Sequence, residues 1–288
     1  MNYEIVNQLN AGQPGWDAHK AALNKSDTQL LVLGPLPGFF GFLQDEGLSG
    51  VNLIDIITRR KYVKDSYMFF DKAPVPEGTA VYMNEDGTIS LIQEGETIGS
   101  MITYAGTRRA VKELRYNYLD GTKDLIEEYA FDGNHYSNLF YYNDEIQEIQ
   151  LLNRNGNPVV REFFYQGGIN LITINDPFSG HQLRHYNDIA AFRAGELARF
   201  LKPEDTAVTR YMGIEMEALR EAKSHNVLRL SESPFDDNDE VRGNLLAILK
   251  NDVSFIQEVQ MDQASYNALA LRKIPLNKAR VIQEESAK

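Results

Sequence analysis

The chain has 288 residues, 43% of them apolar, enough for one large domain or two ordinary ones with filled cores, which excludes disorder as a global description. Its 41 acidic against 29 basic residues give a formal charge of −12 without a local basic patch, so a nucleic acid or an anionic membrane surface is not the expected partner. With no cysteine, disulfides, thiolate nucleophiles, iron–sulfur clusters and cysteine zinc sites are excluded together.

The first strong element is the apolar run Leu30-Leu31-Val32-Leu33, ended by Gly34-Pro35-Leu36-Pro37-Gly38. A buried strand running into a Gly/Pro loop is how an α/β layer opens. Residues 39–58 follow with two apolar clusters, one around Phe39, Phe40, Phe42 and Leu43, the other around Val51, Leu53, Ile54, Ile56 and Ile57, and they read as two short helices.

From about residue 65 to 175 the apolar period becomes two, and turn residues recur at nearly even spacing: Asp120-Gly121, Asp132-Gly133, Asn143-Asp144, Asn155-Gly156 and Gly167-Gly168. The spacing predicts an up-and-down meander joined by two-residue turns, with strands over 111–118, 124–131, 136–142, 146–153, 159–165 and 169–175. Earlier hairpin strands are expected over 79–82, 88–93 and 98–104. Charged and aromatic residues mix on both faces, as in Arg115-Tyr116-Asn117-Tyr118, so one wet and one half-covered face are expected. Much of the aromatic load, 15 Tyr and 14 Phe against one Trp, is thereby assigned to cross-strand pairs.

After Pro177 the period is helical again, with a helix over 186–201 closed by Lys202-Pro203. Strands at 207–211, 227–230, 253–259 and 279–283 then alternate with helices over 215–224, 241–249 and 264–271. Such alternation argues for a parallel sheet flanked by helices. If Leu30–Leu33 joins it, the meander is an insertion, giving 1–64 and 177–288 as the two parts of an α/β domain around 65–176.

No constellation in the chain defines a catalytic set. The loop after Leu33 lacks the glycine spacing of a phosphate cradle, and Pro35 and Pro37 have no N–H to offer an anion. His181 and His185 would share one helix face, but Gln182 stands where a zinc protease has its glutamate, so surface histidines are expected and no metal. The acidic run Asp236-Asp237-Asn238-Asp239-Glu240 begins like a calcium loop, yet Val241 replaces the needed glycine, which leaves a solvated loop. Glu232 and Glu240 have an E-x7-E spacing that a chain with 22 glutamates also produces by chance.

Two features together carry a resemblance: an opening α/β unit and a Tyr-rich meander inserted before that unit resumes. The residues are Leu31-Val32-Leu33-Gly34-Pro35-Leu36-Pro37-Gly38-Phe39-Phe40, Gly78-Thr79-Ala80-Val81-Tyr82, residues 115–166, and Asn226-Val227-Leu228-Arg229-Leu230-Ser231-Glu232-Ser233. In this order the chain resembles the glycosyltransferase-B-like proteins of the bacterial accessory Sec system, most of all the non-catalytic first accessory Sec protein. The chaperone-like GtfB-type subunit of the adhesin O-GlcNAc transferase is the second match. The resemblance implies a Rossmann-like, half glycosyltransferase-B-like parallel sheet with a long antiparallel insertion. It also implies a cytoplasmic, non-catalytic subunit, peripheral at the membrane through its partners, that supports export of glycosylated serine-rich repeat adhesins. The implied partners are the other accessory Sec proteins, the accessory motor ATPase and the adhesin or its GlcNAc groups. Members of both kinds carry a second Rossmann-like domain that would hold the sugar nucleotide, and the 288 residues stop where that half is expected, so no cofactor is expected here.

Three function classes remain open at this point. One is a glycan- or adhesin-recognising assembly subunit. Another is a UDP-GlcNAc-dependent transferase, or the acceptor-binding part of one, using Glu232 and Glu240. The last is an α/β body whose sheet edges serve homo- or hetero-oligomerisation. Strand-end logic places a sugar pocket near Gly34, Pro35, Phe39 and the Ser231-Glu232-Ser233 loop. Trp16 either stacks on the ligand or is a buried structural side chain.

Overall fold

The computed structural model describes residues 1–9, 11–12 and 16–282. In chain order the strands open with β1 (Asn2–Val6), β2 (Thr28–Val32) and β3 (Gly50–Asn52). Ten follow: β4 (Ala80–Met83), β5 (Ile89–Gln93), β6 (Glu96–Thr103), β7 (Val111–Asn117), β8 (Lys123–Tyr129), β9 (His135–Tyr142), β10 (Glu145–Leu152), β11 (Pro158–Tyr165), β12 (Gly168–Asn175) and β13 (Gln182–Tyr186). The last are β14 (Thr206–Thr209), β15 (His225–Arg229), β16 (Glu258–Met261) and β17 (Ala279–Val281). The helices are α1 (Trp16–Lys25), α2 (Phe39–Glu46), α3 (Leu53–Thr58), α4 (Ile189–Phe200), α5 (Ile214–Glu217), α6 (Gly243–Leu249) and α7 (Gln263–Leu271). The chain forms two compact units, one of Met1–Gly34, Glu46–Leu53 and Ala190–Lys288, the other of Pro35–Asp45 and Ile54–Ile189.

The first unit holds a seven-stranded, all-parallel sheet of order β17-β16-β15-β14-β1-β2-β3. Its middle strands are buried on both faces, with Ile5, Leu30, Leu31, Ala207, Leu228, Val259 and Met261 all in the core, as continuous apolar runs in a parallel sheet require. β1 pairs with β2 on one side and with β14, some two hundred residues later, on the other. The meander is thus an insertion between β3 and β14. β1 was not foreseen, because Asn2-Tyr3-Glu4-Ile5-Val6 places a glutamate at the centre of a strand buried on both faces. Glu4 is 2% exposed and is held by Arg210 Nε at 2.8 Å and His19 Nε2 at 2.5 Å. Burial alone would raise its carboxyl, but these two partners keep it below the ordinary value.

The second unit is built on a ten-stranded antiparallel sheet, β4 to β13 in sequence order. Its hairpins are of two kinds. At Asn143-Asp144, Gln166-Gly167 and Glu94-Gly95 both central residues have positive φ, as two-residue turns need. The Asp-Gly turns are longer than the expected two residues. In each, the glycine N–H donates to a carbonyl three residues back, as Gly121 does to Tyr118 and Gly133 to Ala130, and glycine takes the left-handed position of the bulge that follows. The aspartate fixes that form by accepting an N–H two residues on, Thr122 to Asp120 at 2.9 Å and Thr88 to Asp86 at 2.9 Å.

The mixed faces read in the sequence have a structural cause: the covered face changes along the sheet. Across β5 to β8, one face carries Ile89, Leu91, Met101 and Leu114, packed against Met68, Phe70, Ala73 and Val75 of the same unit. By register, the same face further along carries Glu127, Asn138, Gln150 and Arg161. On β10 to β12 the buried apolar residues Leu151, Val160, Ile172 and Ile174 stand on the other face. Two other readings are corrected. Residues 182–186 form strand β13, so His181 and His185 do not share a helix face. Between the two expected helices of 39–58 lies the short strand β3, which Gly50 opens. Residue 283, the end of the last predicted strand, lies outside the described residues.

Beside the sheet, Asp55 on α3 is buried, accepts a hydrogen bond from Tyr62 Oη at 2.9 Å, and shares its surroundings with Arg60, which lies 4.9 Å from the Tyr136 ring centroid. Burial pushes this carboxyl up to about 6, against the pull of Tyr62 and Arg60. The folded group therefore keeps its proton to higher pH than the unfolded one, and folding stability falls as pH rises through about 6. In urea titrations from pH 4 to 8, the wild-type chain is expected to show this loss, of about 3 kcal/mol at full ionisation, and Asp55→Asn to lack it. Gly133 has φ +83°, and a Cβ there would lie 2.5 Å from the Met68 backbone nitrogen. Gly133→Ala is expected to cost roughly 2–3 kcal/mol, read as a lower urea midpoint.

Candidate functional site

The strand order of the parallel sheet reverses direction between β1 and β14, and in open α/β sheets the crevice outside the carboxyl ends at such a point is where ligands bind. The residues that leave this edge are Asn7 after β1 and the Arg210-Tyr211-Met212-Gly213 turn after β14. The Asn7 N–H donates to Glu215 Oε1 at 3.0 Å, while Asn7 Oδ1 and Glu215 Oε2 are buried with no partner among the described residues. Both atoms are sealed from solvent, and a buried acceptor left without a donor costs free energy.

Beside it, at the ends of β14 and β15, is a cleft of about 370 Å³ lined by Tyr211, Glu232, Asp236, Arg242 and Asn244, with Met212 and Gly243. Local sequence chemistry shapes each wall. Gly213 lets the Tyr211 ring lie close against the turn, since a Cβ there would be 2.3 Å from the ring as it stands. Tyr211 is thus a supported platform, 59% exposed. Asn244 Nδ2 donates to the Met212 carbonyl at 2.9 Å and ties the start of α6 to that turn. Arg242 binds Glu232 at 3.1 Å and donates from Nε to the Ser233 carbonyl at 2.9 Å, closing the loop after β15 upon itself. Asp236 Oδ1 accepts from Asn238 N and Glu240 N, at 2.9 and 3.0 Å, so the acidic run is a self-satisfied turn. An aromatic platform ringed by two carboxylates, a guanidinium and an amide suits a polyhydroxylated ring: apolar sugar faces stack on the tyrosine and hydroxyls bond to the rim.

Of the residues proposed from sequence, Glu232 lines this cleft, and Ser231 and Ser233 are exposed beside it in the same loop. Gly34 is at the end of β2, where its carbonyl accepts from Asn52 Nδ2 at 2.7 Å and a Cβ would meet the Asn7 carbonyl at 3.2 Å. Its role is to let two strand ends approach. Pro35 is exposed. Phe39, by contrast, is 3% exposed, a buried ring rather than an open surface. Trp16 donates from Nε1 to Glu46 Oε2 at 3.0 Å, and Lys20 binds the same carboxylate at 2.8 Å, so its polar end is committed within the protein. Glu240 is exposed, whereas Glu232 is paired with Arg242. Tyr211, Arg242 and Asn244 were missed. Reading the strand as far as residue 211 hid the turn, and nothing local marks Arg242 and Asn244 as neighbours of Tyr211.

No protein-family model and no curated protein matches the chain. Solved structures do. The chain superposes on the accessory secretory protein 1, 2 and 3 structure of Streptococcus pneumoniae with a TM-score of 0.75 at 14% identity, over 99% of this chain and 62% of that one. The chain has the fold of the accessory secretory and glycosyltransferase-like proteins. The Glycosylation Associate Protein (Gap123) complex of Streptococcus agalactiae matches at 0.69 and 16% identity, over 99% and 60% of the two chains. The GtfA/B complex bound to UDP and GlcNAc matches at 0.68 and 17%, over 98% and 61%. The chain thus spans about three fifths of the length of the accessory secretory and glycosyltransferase-like chains it matches. Among the described residues no helix is long and apolar enough to cross a membrane.

Arg242 links Glu232 to the carbonyl of Ser233, so Arg242→Ala is expected to loosen this end of the loop without unfolding the unit. Amide exchange at residues 231–233 should rise at least about tenfold while residues 236–240, held by Asp236 and by Arg272, keep their protection, and the urea midpoint should move by less than about 1 kcal/mol, as for an exposed ion pair.

Proposed function

We propose that the chain is a non-catalytic, glycosyltransferase-like recognition subunit of an accessory secretion system, binding glycan on its protein client while it assembles with other accessory proteins. The observation that carries this reading is the match, over nearly the whole chain, to proteins solved in accessory secretory and glycosylation-associated complexes. The strand-end cleft supports it, since Tyr211 supplies a stacking surface and Glu232, Asp236, Arg242 and Asn244 supply donors and acceptors. Glu232 is neutralised by Arg242 and Asp236 is used by its own loop, which suits holding a sugar better than moving a proton. The client under this reading is a serine-rich repeat glycoprotein, and the accessory motor ATPase acts with the assembly.

The likeness to the GtfA/B complex favours a second reading, that of an acceptor-binding partner of an adhesin O-GlcNAc transferase. The two separate by co-expression. The first predicts a stable complex with the other accessory secretory proteins, the second a complex with a catalytic transferase subunit and a rise in its glycosylation rate. Under both, calorimetry should detect GlcNAc-modified serine-rich peptide, with Tyr211→Ala weakening it about tenfold, and no heat with UDP-GlcNAc. Failure to bind the glycopeptide, together with failure to form either complex, would remove both readings.

A further inference from the structure

The second unit has a cleft of its own. It has a volume of about 490 Å³, within the roughly 300–1,000 Å³ of ligand cavities, and Ser100, Arg115, Asn117, Lys123, Tyr141 and Asp144 line it. Ser100, Arg115 and Ile126 are register partners across β6, β7 and β8, so they share one face of the sheet. Lys123 and Asp144 come from the ends of neighbouring hairpins, joined by the Lys123 N–H donating to Asp144 Oδ1 at 3.0 Å.

Elsewhere on the sheet many polar side chains satisfy one another: Arg161 binds Glu148 at 2.6 Å, Gln150 binds Glu148 at 2.9 Å, and Tyr129 binds Glu127 at 2.9 Å, while Asn138 Oδ1, Thr173 Oγ1 and Asn175 Oδ1 are buried without a partner among the described residues. Ser100 Oγ, the Asn117 amide, Lys123 Nζ and Tyr141 Oη make no hydrogen bond to another described residue, so these donors and acceptors are free to meet a ligand. Arg115 is held in place by Glu113, to which its Nε donates at 2.8 Å, and the Lys123 ammonium lies 5.4 Å from the Tyr141 ring centroid. Arg115 is paired with Glu113, which Lys112 also contacts at 3.0 Å, and Lys123 meets Asp144 through its backbone N–H. A site with both signs of charge, one aromatic ring, an apolar residue at Ile126 and uncommitted hydroxyl and amide groups suits a polyhydroxylated ring. A peptide strand would instead seek the free N–H and C=O groups of a sheet edge, which a cleft on the sheet face lacks.

We propose that this meander cleft is a second saccharide-binding site, taking a neutral pyranose or short oligosaccharide stacked on Tyr141 and hydrogen-bonded by Ser100, Arg115, Asn117 and Lys123. It rests on the glycan-recognising reading for its biological sense, but on a different unit and different side chains.

The test is amide NMR of the full chain titrated with chitobiose, with maltose, and with galacturonic acid as the charged counterpart. Saturable shifts at residues 100, 115, 117, 123 and 141 with a neutral sugar are expected. Asn117→Ala, at an exposed position, and Tyr141→Leu should each raise the Kd at least fivefold, while Tyr141→Phe, which keeps the ring, should stay within about threefold. Tyr211→Ala should leave these shifts unchanged. No shift in this region with either neutral sugar would overturn the proposal, as would unaltered binding by Asn117→Ala. Tighter binding of galacturonic acid, by tenfold or more, would overturn it in favour of an anion site. Saccharide binding that is lost with Tyr211→Ala and kept with Asn117→Ala and Tyr141→Leu would remove the meander site and leave the recognition reading intact.

Discussion

The pairing of β1 with β14 is the constraint on which the architecture depends. It brings residues 2–5 against 206–209 and makes one parallel sheet out of segments that the whole meander separates. At its centre is a buried glutamate. Glu4 cannot sit there unless Arg210 and His19 reach it, since an unpaired carboxylate in a low-dielectric core costs several kcal/mol. Arg210 is the first residue after β14, so the charge that holds β1 in place is supplied only when the chain has returned from the insertion. The same pairing sets the point where the strand order reverses, the place at which open α/β sheets bind ligands.

The meander follows a different logic. Its contacts are local, strand against the next strand, and its turns are written in short motifs whose backbone requirements only Gly, Asn and Asp meet cheaply. Such a sheet can be long without a large core if cover is found for part of each face. The cover switches from one face at β5 to β8 to the other at β10 to β12. This leaves stretches of polar and aromatic surface on both faces. Most of that surface is self-paired, by Arg161 with Glu148 and Tyr129 with Glu127. Around Arg115 and Tyr141 hydroxyl and amide groups stay uncommitted, and on this the proposed meander site rests.

The two clefts use similar means on unrelated frameworks. One tyrosine provides a flat apolar surface, and long polar side chains around it are oriented by a neighbour of opposite charge: Arg242 by Glu232 in the first unit, Arg115 by Glu113 in the second. Orientation by an ion pair lowers the conformational entropy lost on binding, which suits weak, reversible recognition of flexible chains. The aromatic excess that stands out in the composition therefore divides into rings that build the sheet and a few, Tyr211 and Tyr141 among them, that present a surface.

What the sequence determined by itself was the meander, because period-two alternation and positive-φ turn residues are local properties, and the α/β class, because apolar runs such as Leu30 to Leu33 and their alternation with helical stretches are local too. Glu232 was legible as part of a strand-end loop for the same reason. The tertiary structure decided what depends on distant partners. Asn2–Val6 is a central strand because β2 and β14 pair with it on either side and Arg210 and His19 bind its buried Glu4. Residues 182–186 are an edge strand, against their helical pattern, because β12 offers a free edge to pair with. Phe39 is a core ring, Trp16 is bound to Glu46, and Tyr211 meets Arg242 and Asn244 because parallel strands bring together loops that no spacing in the chain connects. Local patterns fix backbone conformation, whereas burial and charge pairing are set by neighbours that the fold alone supplies.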